Sequence, residues 1–494
     1  MRFDMVRSPS AWLKHMLGPT AYDSVLSDLE IWWEREGRVI TDAVDRARTP
    51  WLRMFDSTGR RIDEILYPPE YWRMLKKGYK AGVLWRAFKD QSLEPSSLLI
   101  FLTSFYDCGL TCPYTVSLST ALPLSKYGDA TVQDRFLNNL LREDDQVWQG
   151  ATWMTEIKGG SDLGSNVETI AVPHGDCWQL TGDKYFSSNA GAELAVVAAR
   201  PAGAPAGVHG VALFLVPRHR QSGELNYTIR RLKNKIATRS VPTGEVELRD
   251  SEAYLLGPVE HGIYLILEVL NVSRIANSLG SVALAQRAVA DALSFAESRI
   301  AFGRPIVEHP MLRHQFERRI HDLESAFALA WEASRLLNEV WRERVPYTDR
   351  YHLFRLFAHL AKYWTAEFAI QTAKWCMEVH GGLGVLEEFR VERWLREAMI
   401  LAIWEGTAHR QLLDALEVIA RKQVHRTLLK TIGNGSSAAE FMDVIGDIDA
   451  LLQRPVDERE YLWEPLGARL AKVAADALRD RLLKQAGGWP SIAT

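Results

Sequence analysis

The chain has few of the residues that mark metal and redox proteins. Only four of its 494 residues are cysteine: Cys108, Cys112, Cys177 and Cys376. The pair in CGLTC has no second Cys or His pair at zinc-finger spacing, so we expect no metal site and no redox pair. Cysteine more often packs as a small buried hydrophobe. No G-x-G-x-x-G follows a strand pattern, which excludes the Rossmann fingerprint.

Long apolar runs and a dominant charge are missing as well. No segment approaches the length that spans a bilayer, and the N-terminus MRFDMVRSPSAWLKHMLG lacks a basic start followed by an apolar core. We therefore expect a soluble, cytoplasmic protein with no membrane partner. The net charge of -3 gives no general attraction to nucleic acid. The length, with 47% hydrophobic and 24% charged residues, predicts two to four globular folding units.

The periodicity of apolar residues changes twice along the chain. Residues 1–146 are mostly of helical period, apart from a Pro-interrupted passage, RTPWLRMFDSTGRRIDEILYPPEYW, in which no helix can run unbroken. Short β-rich segments fill residues 147–257 and predict an antiparallel barrel or sandwich. The helical period returns over residues 258–424 and predicts a bundle. Residues 425–494 are predicted to be a helical tail, with KTIGNGSSAAEF as a linker and GARLAKVAADALRDRLLKQ as one further helix.

Four passages carry side chains suited to a ligand, and each also has an ordinary structural explanation. WMTEIKGGSDLGSN and GDKYFSSNAG are rich in hydroxyls and glycine, which could bind a planar ring or a phosphate but are equally common in turns. Arg299, in RIAFGRPIVEHP, could pair with a diphosphate or end a helix in solvent. MEVHGGLGV could bring backbone close to a ligand or form a helix C-cap.

A carboxylate in an apolar stretch is a fifth feature. Glu405 follows Met, Ile, Leu, Ala and Trp in AMILAIWEGTAHRQLLD. Burial without a partner is costly and raises the pKa of a carboxyl group, so such a residue is either compensated or retained for a reaction. Taken alone, the stretch favours a structural role, such as a helix cap or an ion pair with Arg.

In their order along the chain, these five passages resemble motifs of the acyl-CoA dehydrogenase superfamily. The resemblance begins with LPLSKYGDATVQDRFLNNLL and covers roughly residues 120–420. The forms WMTEIKGGSDLGSN, MEVHGGLG and IWEGT, together with EILYPPEYWRML, are most similar to the AidB-like branch, which is associated with the bacterial alkylation response. The implied fold is α+β: an N-terminal helical domain, a middle antiparallel β-barrel or sandwich, and a C-terminal four-helix bundle with extra C-terminal helices.

The resemblance also implies an activity and a site. The implied reaction is the FAD-dependent dehydrogenation of an acyl-CoA or related thioester, in which Glu405 takes the α-proton and a β-hydride passes to flavin N5. Some members carry the base instead on another helix, where this chain has Ser273, so Glu405 is the only base of the family type. The implied substrate contacts are Ser161, Arg274 and Trp404, although Trp404 could equally pack as a core aromatic. The implied cofactor contacts are Met154, Thr155, Ser161, Phe186, Ser188, Arg299, Phe302, Glu378, Gly381, Gly382, Thr407 and His409.

Partners are implied in the same way. Family members pass electrons to an acceptor such as an electron-transfer flavoprotein, and form dimers or tetramers that share cofactor sites. In many members Gln stands at the position of Glu378, and Gln or another amide at that of His409. Retained Glu405 argues against the monooxygenase relatives, which commonly lack the base, and against the nitroalkane oxidases, which use Asp.

The alternative is an AidB-like flavoprotein of the alkylation or stress response that binds nucleic acid and has little dehydrogenase activity. Residues 425–494 contain nine Lys or Arg and ten Asp or Glu, which makes this tail a poor ligand for DNA phosphates. The segments RRIHDLE and RRLKNKIATR leave a basic patch elsewhere open.

Overall fold

The computed structural model describes residues 3–47, 49–432 and 438–487. Within these residues the chain forms seventeen α-helices and eleven β-strands and divides into two compact units. We call the first the helical unit; it contains the residues up to Glu34, Ser97–Cys108 and the residues from Arg274 onward. The second is the barrel unit, which contains Arg35–Ser96 and Gly109–Ser273.

The helices account for most of the chain on both sides of the strands. They are α1 (Pro9–Leu17), α2 (Asp23–Trp32), α3 (Arg38–Arg46), α4 (Pro69–Ala81), α5 (Trp85–Lys89), α6 (Glu94–Tyr106), α7 (Thr111–Tyr127), α8 (Ala130–Leu140), α9 (Leu163–Asn166), α10 (Gly262–Ser298), α11 (Pro310–Val340), α12 (Asp349–His380), α13 (Val391–Ile403), α14 (Ala408–Lys422), α15 (His425–Ile432), α16 (Ala438–Leu451) and α17 (Val456–Gln485). None that the structure describes combines the length and hydrophobicity needed to cross a membrane.

The strands fall into a seven-stranded sheet and two hairpins. They are β1 (Trp51–Phe55), β2 (Arg61–Leu66), β3 (Gly150–Trp153), β4 (Ile170–His174), β5 (Cys177–Ser188), β6 (Leu194–Pro201), β7 (Ala212–Pro217), β8 (Thr228–Leu232), β9 (Thr243–Leu255), β10 (Ile300–Ala301) and β11 (Arg304–Pro305). β1 pairs with β2, and β10 with β11.

The seven-stranded sheet closes on itself. β6 pairs with β4, β4 with β5, β5 with β9, β9 with β7, and β7 returns to β6. The predicted antiparallel pairing is present at β4–β5, β5–β9, β6–β7, β7–β9 and β8–β9, whereas β6 runs parallel to both β3 and β4. The sequence between these strands gives no sign of the parallel pairs, because they depend on which distant segments meet.

The burial of β6 explains why its sequence is continuously apolar. Leu194, Val196 and Ala198 face one hydrophobic core, while Ala195 and Val197 face a second core on the opposite side of the strand. Successive side chains of a strand point to opposite faces, so a strand buried on both faces has no polar alternation.

In two of the predicted helical regions the structure contains elements that the sequence pattern did not reveal. The Pro-interrupted passage near residue 60 forms the β1–β2 hairpin, with Trp51 opposite Leu66, and its turn is closed by the Asp56 carboxylate accepting from the N–H groups of Thr58 and Arg60. The tail contains α15 and α16 as well as the one helix predicted, α17. Residues 433–437, the centre of the predicted linker, lie outside the described residues. The predicted domain boundaries at 146, 257 and 424 stay predictions.

Candidate active site

Glu405 lies in a tight turn of the helical unit between α13 and α14. Trp404 ends α13 with extended backbone, and Glu405 (φ 59°) and Gly406 (φ 100°) then adopt two successive left-handed conformations. Thr407 occupies the N-cap position of α14 with extended backbone. Glycine tolerates this conformation, but for a glutamate it costs roughly 1 kcal/mol or more and persists only where surrounding contacts impose it.

Two buried side chains, from α12 and α14, hold that turn in place. The Lys362 ammonium, on α12, donates to the carbonyl oxygens of Ala402 (3.0 Å) and Gly406 (2.7 Å). The Gln411 amide, on α14, donates to the carbonyl oxygens of Glu405 (2.8 Å) and Gly406 (3.1 Å). The carbonyls at a helix end lack intrahelical partners, so these donors satisfy groups that would otherwise be orphaned.

Arg274, on α10, provides a third contact to the turn. Its Nε donates to the Glu405 carbonyl oxygen at 3.3 Å, and its guanidinium lies 3.6 Å from the Asp414 carboxylate. Burial lowers the pKa of Arg274, and Asp414 and Glu405 oppose that change. The predicted substrate contact Arg274 and the predicted base Glu405 therefore belong to one cluster.

Burial also controls the charges of this cluster. It raises the pKa of the Glu405 carboxyl, while Arg274 and, more weakly, Lys362 pull that pKa down. It lowers the pKa of Lys362 to about 7, with Glu405 opposing the fall. It lowers the pKa of His359 to about 3, so this imidazole is neutral and donates from Nδ1 to the Gln411 carbonyl oxygen at 2.9 Å.

Trp404 is fixed beside Glu405 by one asparagine. The Trp404 indole N–H donates to the Asn277 side-chain oxygen, and the Asn277 amide donates to the Leu401 carbonyl oxygen at 3.1 Å. The indole of the residue that precedes Glu405 therefore has a set orientation.

The predicted flavin contacts of the barrel unit lie together at the end of β3. The backbone N–H of Tyr185 donates to the Thr155 carbonyl oxygen at 2.9 Å, and the Trp153 indole donates to the Ser188 carbonyl oxygen at 3.1 Å. These bonds bring the residues after β3, Met154 and Thr155, alongside β5, which carries Phe186 and Ser188. Met154 is buried, and the Phe186 ring is 52% exposed.

A buried ion pair anchors the loop that follows Thr155. Glu156 accepts from Lys184 at 2.5 Å and from the Thr169 hydroxyl at 2.6 Å, and Lys184 also donates to the Ala198 carbonyl oxygen at 2.7 Å. Burial lowers the pKa of Lys184, and Lys184 with the surrounding donors lowers that of Glu156 despite the opposing effect of burial. Lys184 therefore favours the charged form of Glu156, and Glu156 opposes the effect of burial on Lys184.

The residues of this loop fit a flavin ring. A Cβ at Gly160 would come within 2.4 Å of the Thr155 hydroxyl, so only glycine allows the loop to fold over that side chain. Exposed Ser161 and half-buried Ser188 present hydroxyls, and Phe186 presents an aromatic face. Hydroxyls combined with a stacking surface are the donor set that a polar planar ring requires.

The other predicted cofactor residues lie in separate parts of the helical unit. Arg299 follows α10, and Phe302, 97% exposed, forms the tip of the β10–β11 hairpin. Exposed Glu378 and the glycines Gly381 and Gly382 lie at the end of α12, where an added Cβ at either glycine would meet no atom within 4 Å. The hydroxyl of Thr407 lies within 3.4 Å of the His409 ring.

Several residues of the Glu405 cluster were not found from the sequence. They are Lys362, Gln411, His359, Asn277 and Asp414. One signal was present for Lys362, which interrupts the apolar helix LFAHLAKYWTAEF at a core position. The other four depend on contacts between segments that are distant in the chain.

Comparisons with known proteins place these features in a family. Residues 260–420 match the family model of the acyl-CoA dehydrogenase C-terminal domain, residues 151–251 that of the middle domain, and residues 37–145 that of the N-terminal domain of the adaptive response protein AidB. Acyl-CoA dehydrogenase family member 11 of Caenorhabditis elegans is 29% identical, over 83% of this chain and 69% of its own length. The AidB protein of Escherichia coli K12 is also 29% identical, over 83% of this chain and 76% of its own.

Solved structures agree with the fold. The apo form of Bd2924 superposes with a TM-score of 0.86 at 27% identity, covering 98% of this chain and 96% of that one. ACDH-11 of Caenorhabditis elegans, in complex with C11-CoA, superposes with a TM-score of 0.85 at 24% identity, covering 95% of this chain and 85% of that one. The predicted fold class is thereby confirmed.

Proposed function

Since this chain belongs to the acyl-CoA dehydrogenase superfamily, whose members are flavoprotein oxidoreductases acting on CH–CH groups, we propose that it is an FAD-dependent dehydrogenase of a CoA thioester with Glu405 as its base. One observation carries the proposal. The Glu405 carboxyl, at the family's base position, has a pKa raised by burial and sits on a strained turn that Lys362, Gln411 and Arg274 hold in place.

These contacts suit the removal of a weakly acidic proton. A carboxylate becomes a stronger base as its pKa rises, and proton transfer is efficient when the pKa lies near the working pH. Arg274 and Lys362 oppose the rise and so favour the ionised form of the carboxyl group. The hydrogen bonds to the backbone carbonyls fix the turn that carries the carboxylate, which lowers the entropy loss in reaching the transition state.

Bound FAD would supply the hydride acceptor for the substrate's β-carbon. We propose that the loop and strand residues of the barrel unit hold the flavin ring, that Arg299 and Phe302 meet the diphosphate and adenosine, and that the α12 glycines contribute from a neighbouring subunit. The full proposed set is Met154, Thr155, Ser161, Phe186, Ser188, Arg299, Phe302, Glu378, Gly381, Gly382, Thr407 and His409. Ser161, Arg274 and Trp404 are proposed to contact the thioester.

The proposal extends to partners. The near-complete exposure of Phe302 on a projecting hairpin supports a homo-oligomer, dimer or tetramer, in which such a side chain is covered by another subunit. An electron-transfer flavoprotein or similar carrier is proposed as the acceptor, and the cytoplasm as the location.

The test is an anaerobic titration of the purified flavoprotein with a panel of acyl-CoAs of different chain length. Bleaching of the flavin absorbance by at least one thioester, and its loss in Glu405→Gln, is the expected result. If FAD is bound but no thioester reduces it, the dehydrogenase proposal is wrong.

The AidB-like alternative, a nucleic-acid-binding flavoprotein with little dehydrogenase activity, is supported by the match of residues 37–145 to the AidB N-terminal domain. The tail argues against DNA binding at that end of the chain, because several of its cations are paired with carboxylates. The pairs are Arg426–Asp449 (3.0 Å), Arg469–Asp447 (2.9 Å), Lys472–Asp476 (2.9 Å) and Arg481–Glu332 (2.6 Å). Mobility-shift assays with duplex DNA at increasing salt concentration distinguish the two proposed functions. DNA binding that weakens with salt, in a protein whose flavin no thioester reduces, favours the alternative.

A further inference from the structure

Lys362 is a lysine enclosed by the helical unit, with its ammonium against the turn that carries Glu405. The residue is 1% exposed. Its Nζ donates to the carbonyl oxygens of Ala402 and Gly406, one on each side of Glu405 in the chain. A buried amine is expensive unless its position brings a compensating interaction, so this placement calls for a reason.

Charged groups on α10, α12 and α14 surround Lys362 and Glu405. Lys362 is influenced by Glu405 in the turn, by Arg274 on α10 and by Glu367 on its own helix. The groups that influence Arg274 in turn are Asp414, Glu405, Arg355 and Arg410. The Glu405 carboxyl thus has two cations near it, one permanently charged and one, Lys362, that titrates.

We propose that Lys362 is a positioning residue for Glu405, fixing the turn through two hydrogen bonds and supplying positive charge that keeps the carboxylate ionised for proton abstraction. This inference rests on the proposed function of Glu405 as the base. Because the pKa of Lys362 is lowered to about 7, its positive charge depends on pH. Below pH 7 the ammonium is present and opposes protonation of Glu405.

A purely structural role, as a cation at the end of α13, is the competing explanation. Gln411 allows the two to be separated. It donates to the carbonyl oxygens of Glu405 and Gly406, as Lys362 does to Ala402 and Gly406, but it carries no charge. Removing Gln411 loosens the same turn and leaves the electrostatics of Glu405 in place.

The experiment compares the FAD-loaded wild type with Lys362→Met, Lys362→Gln, Lys362→Arg and Gln411→Leu. The rate of flavin reduction by a saturating acyl-CoA is followed by stopped flow from pH 5.5 to 9.5. In the profile of reduction rate against pH, we expect the acid limb of Lys362→Met and Lys362→Gln to move up by about one pH unit. At the lowest pH this shift corresponds to about a tenfold loss of rate relative to the wild type. Lys362→Arg and Gln411→Leu should reduce the flavin more slowly than the wild type, but the acid limb of their pH profiles should not move. A uniform loss in all four variants would overturn the proposal.

A second readout does not depend on turnover. Urea unfolding at pH 6, where the ammonium is present, is measured for Lys362→Met in the wild type and in Glu405→Gln, with Lys362→Gln as a substitute if the first variant does not fold. Because removing the cation leaves an ionised carboxylate without its compensation, the midpoint should fall further in the wild type than in Glu405→Gln. An equal fall of the urea midpoint in both backgrounds would refute the interaction between Lys362 and Glu405. If no thioester reduces the wild-type flavin, the proposed function is wrong, but this double-mutant comparison still shows whether Lys362 and Glu405 interact.

Discussion

The buried Lys184–Glu156 pair offers a quantitative test of how the loop after Thr155 is held. The Lys184 side chain is fully buried and that of Glu156 is 5% exposed, with 2.5 Å between Nζ and Oε1. Replacing Lys184 by Met leaves a buried carboxylate that keeps its bonds from Thr169 and the backbone of Glu168 but loses its cation. Removing one partner of a buried pair costs about 3–5 kcal/mol.

The chain contains a matched control close to Glu156. Lys158 and Glu168 form a pair of the same 2.5 Å length whose side chains are 57% and 56% exposed. An exposed pair of this kind contributes about 0–1 kcal/mol. Lys158→Met should therefore leave the free energy of unfolding almost unchanged, while Lys184→Met lowers it severalfold more.

Both variants are compared by urea unfolding with the same excess of FAD, and by the ratio of flavin to protein absorbance after gel filtration. The sign of the pH dependence follows from the pKa of Glu156, which is lowered in the folded protein. That stabilisation is present above the unfolded pKa near 4.5 and is lost as the pH falls, so the gap between wild type and Lys184→Met should narrow in acid. A loss below about 1 kcal/mol at pH 7, or equal effects of the two substitutions, would refute the reasoning.

Three further predictions concern other parts of the molecule. Because Lys362 has a folded pKa of about 7 against 10.5 when unfolded, the unfolded state binds more protons between these values, and wild type should gain about 1.4 kcal/mol per pH unit over Lys362→Met from pH 7 to 9 in urea titrations; parallel curves would contradict this. Gly160→Val, which places atoms against the Thr155 hydroxyl, should purify with at most a small fraction of the wild-type flavin, and full occupancy would oppose the proposed loop function. Phe302→Ser should weaken assembly in analytical ultracentrifugation, whereas an unchanged sedimentation coefficient would remove the hairpin from the interface.

The order of elements was predictable because each has a local signature. The helical period marked the long helices of the helical unit, and short β-rich segments marked the barrel. The β1–β2 hairpin was missed because prolines and charged residues hide the alternation of Trp51–Phe55 and Arg61–Leu66, whose pairing with each other supplies the order.

The candidate site was predictable only where it depends on local motifs. Glu405 was identified from its apolar surroundings together with the family resemblance, and Arg274 from its place in a family motif. The hydrogen bonds from Lys362 and Gln411 to the turn join helices about 40 and 6 residues from it, and no spacing rule in the sequence relates a lysine side chain to a particular carbonyl. Such contacts depend on how the helices pack, and helix packing depends on the volumes of the side chains and on which of them are buried.

The most direct test of the central claim is α-proton exchange. The protein is incubated in D₂O with an acyl-CoA whose β-carbon is replaced by sulfur, so that proton removal can occur without hydride transfer, and deuterium entering the α position is followed by mass spectrometry. We expect exchange with the wild type and a loss of at least about 100-fold in Glu405→Gln, the usual scale for removing a general base. Exchange at the wild-type rate in Glu405→Gln, or no exchange with any thioester, would contradict the account.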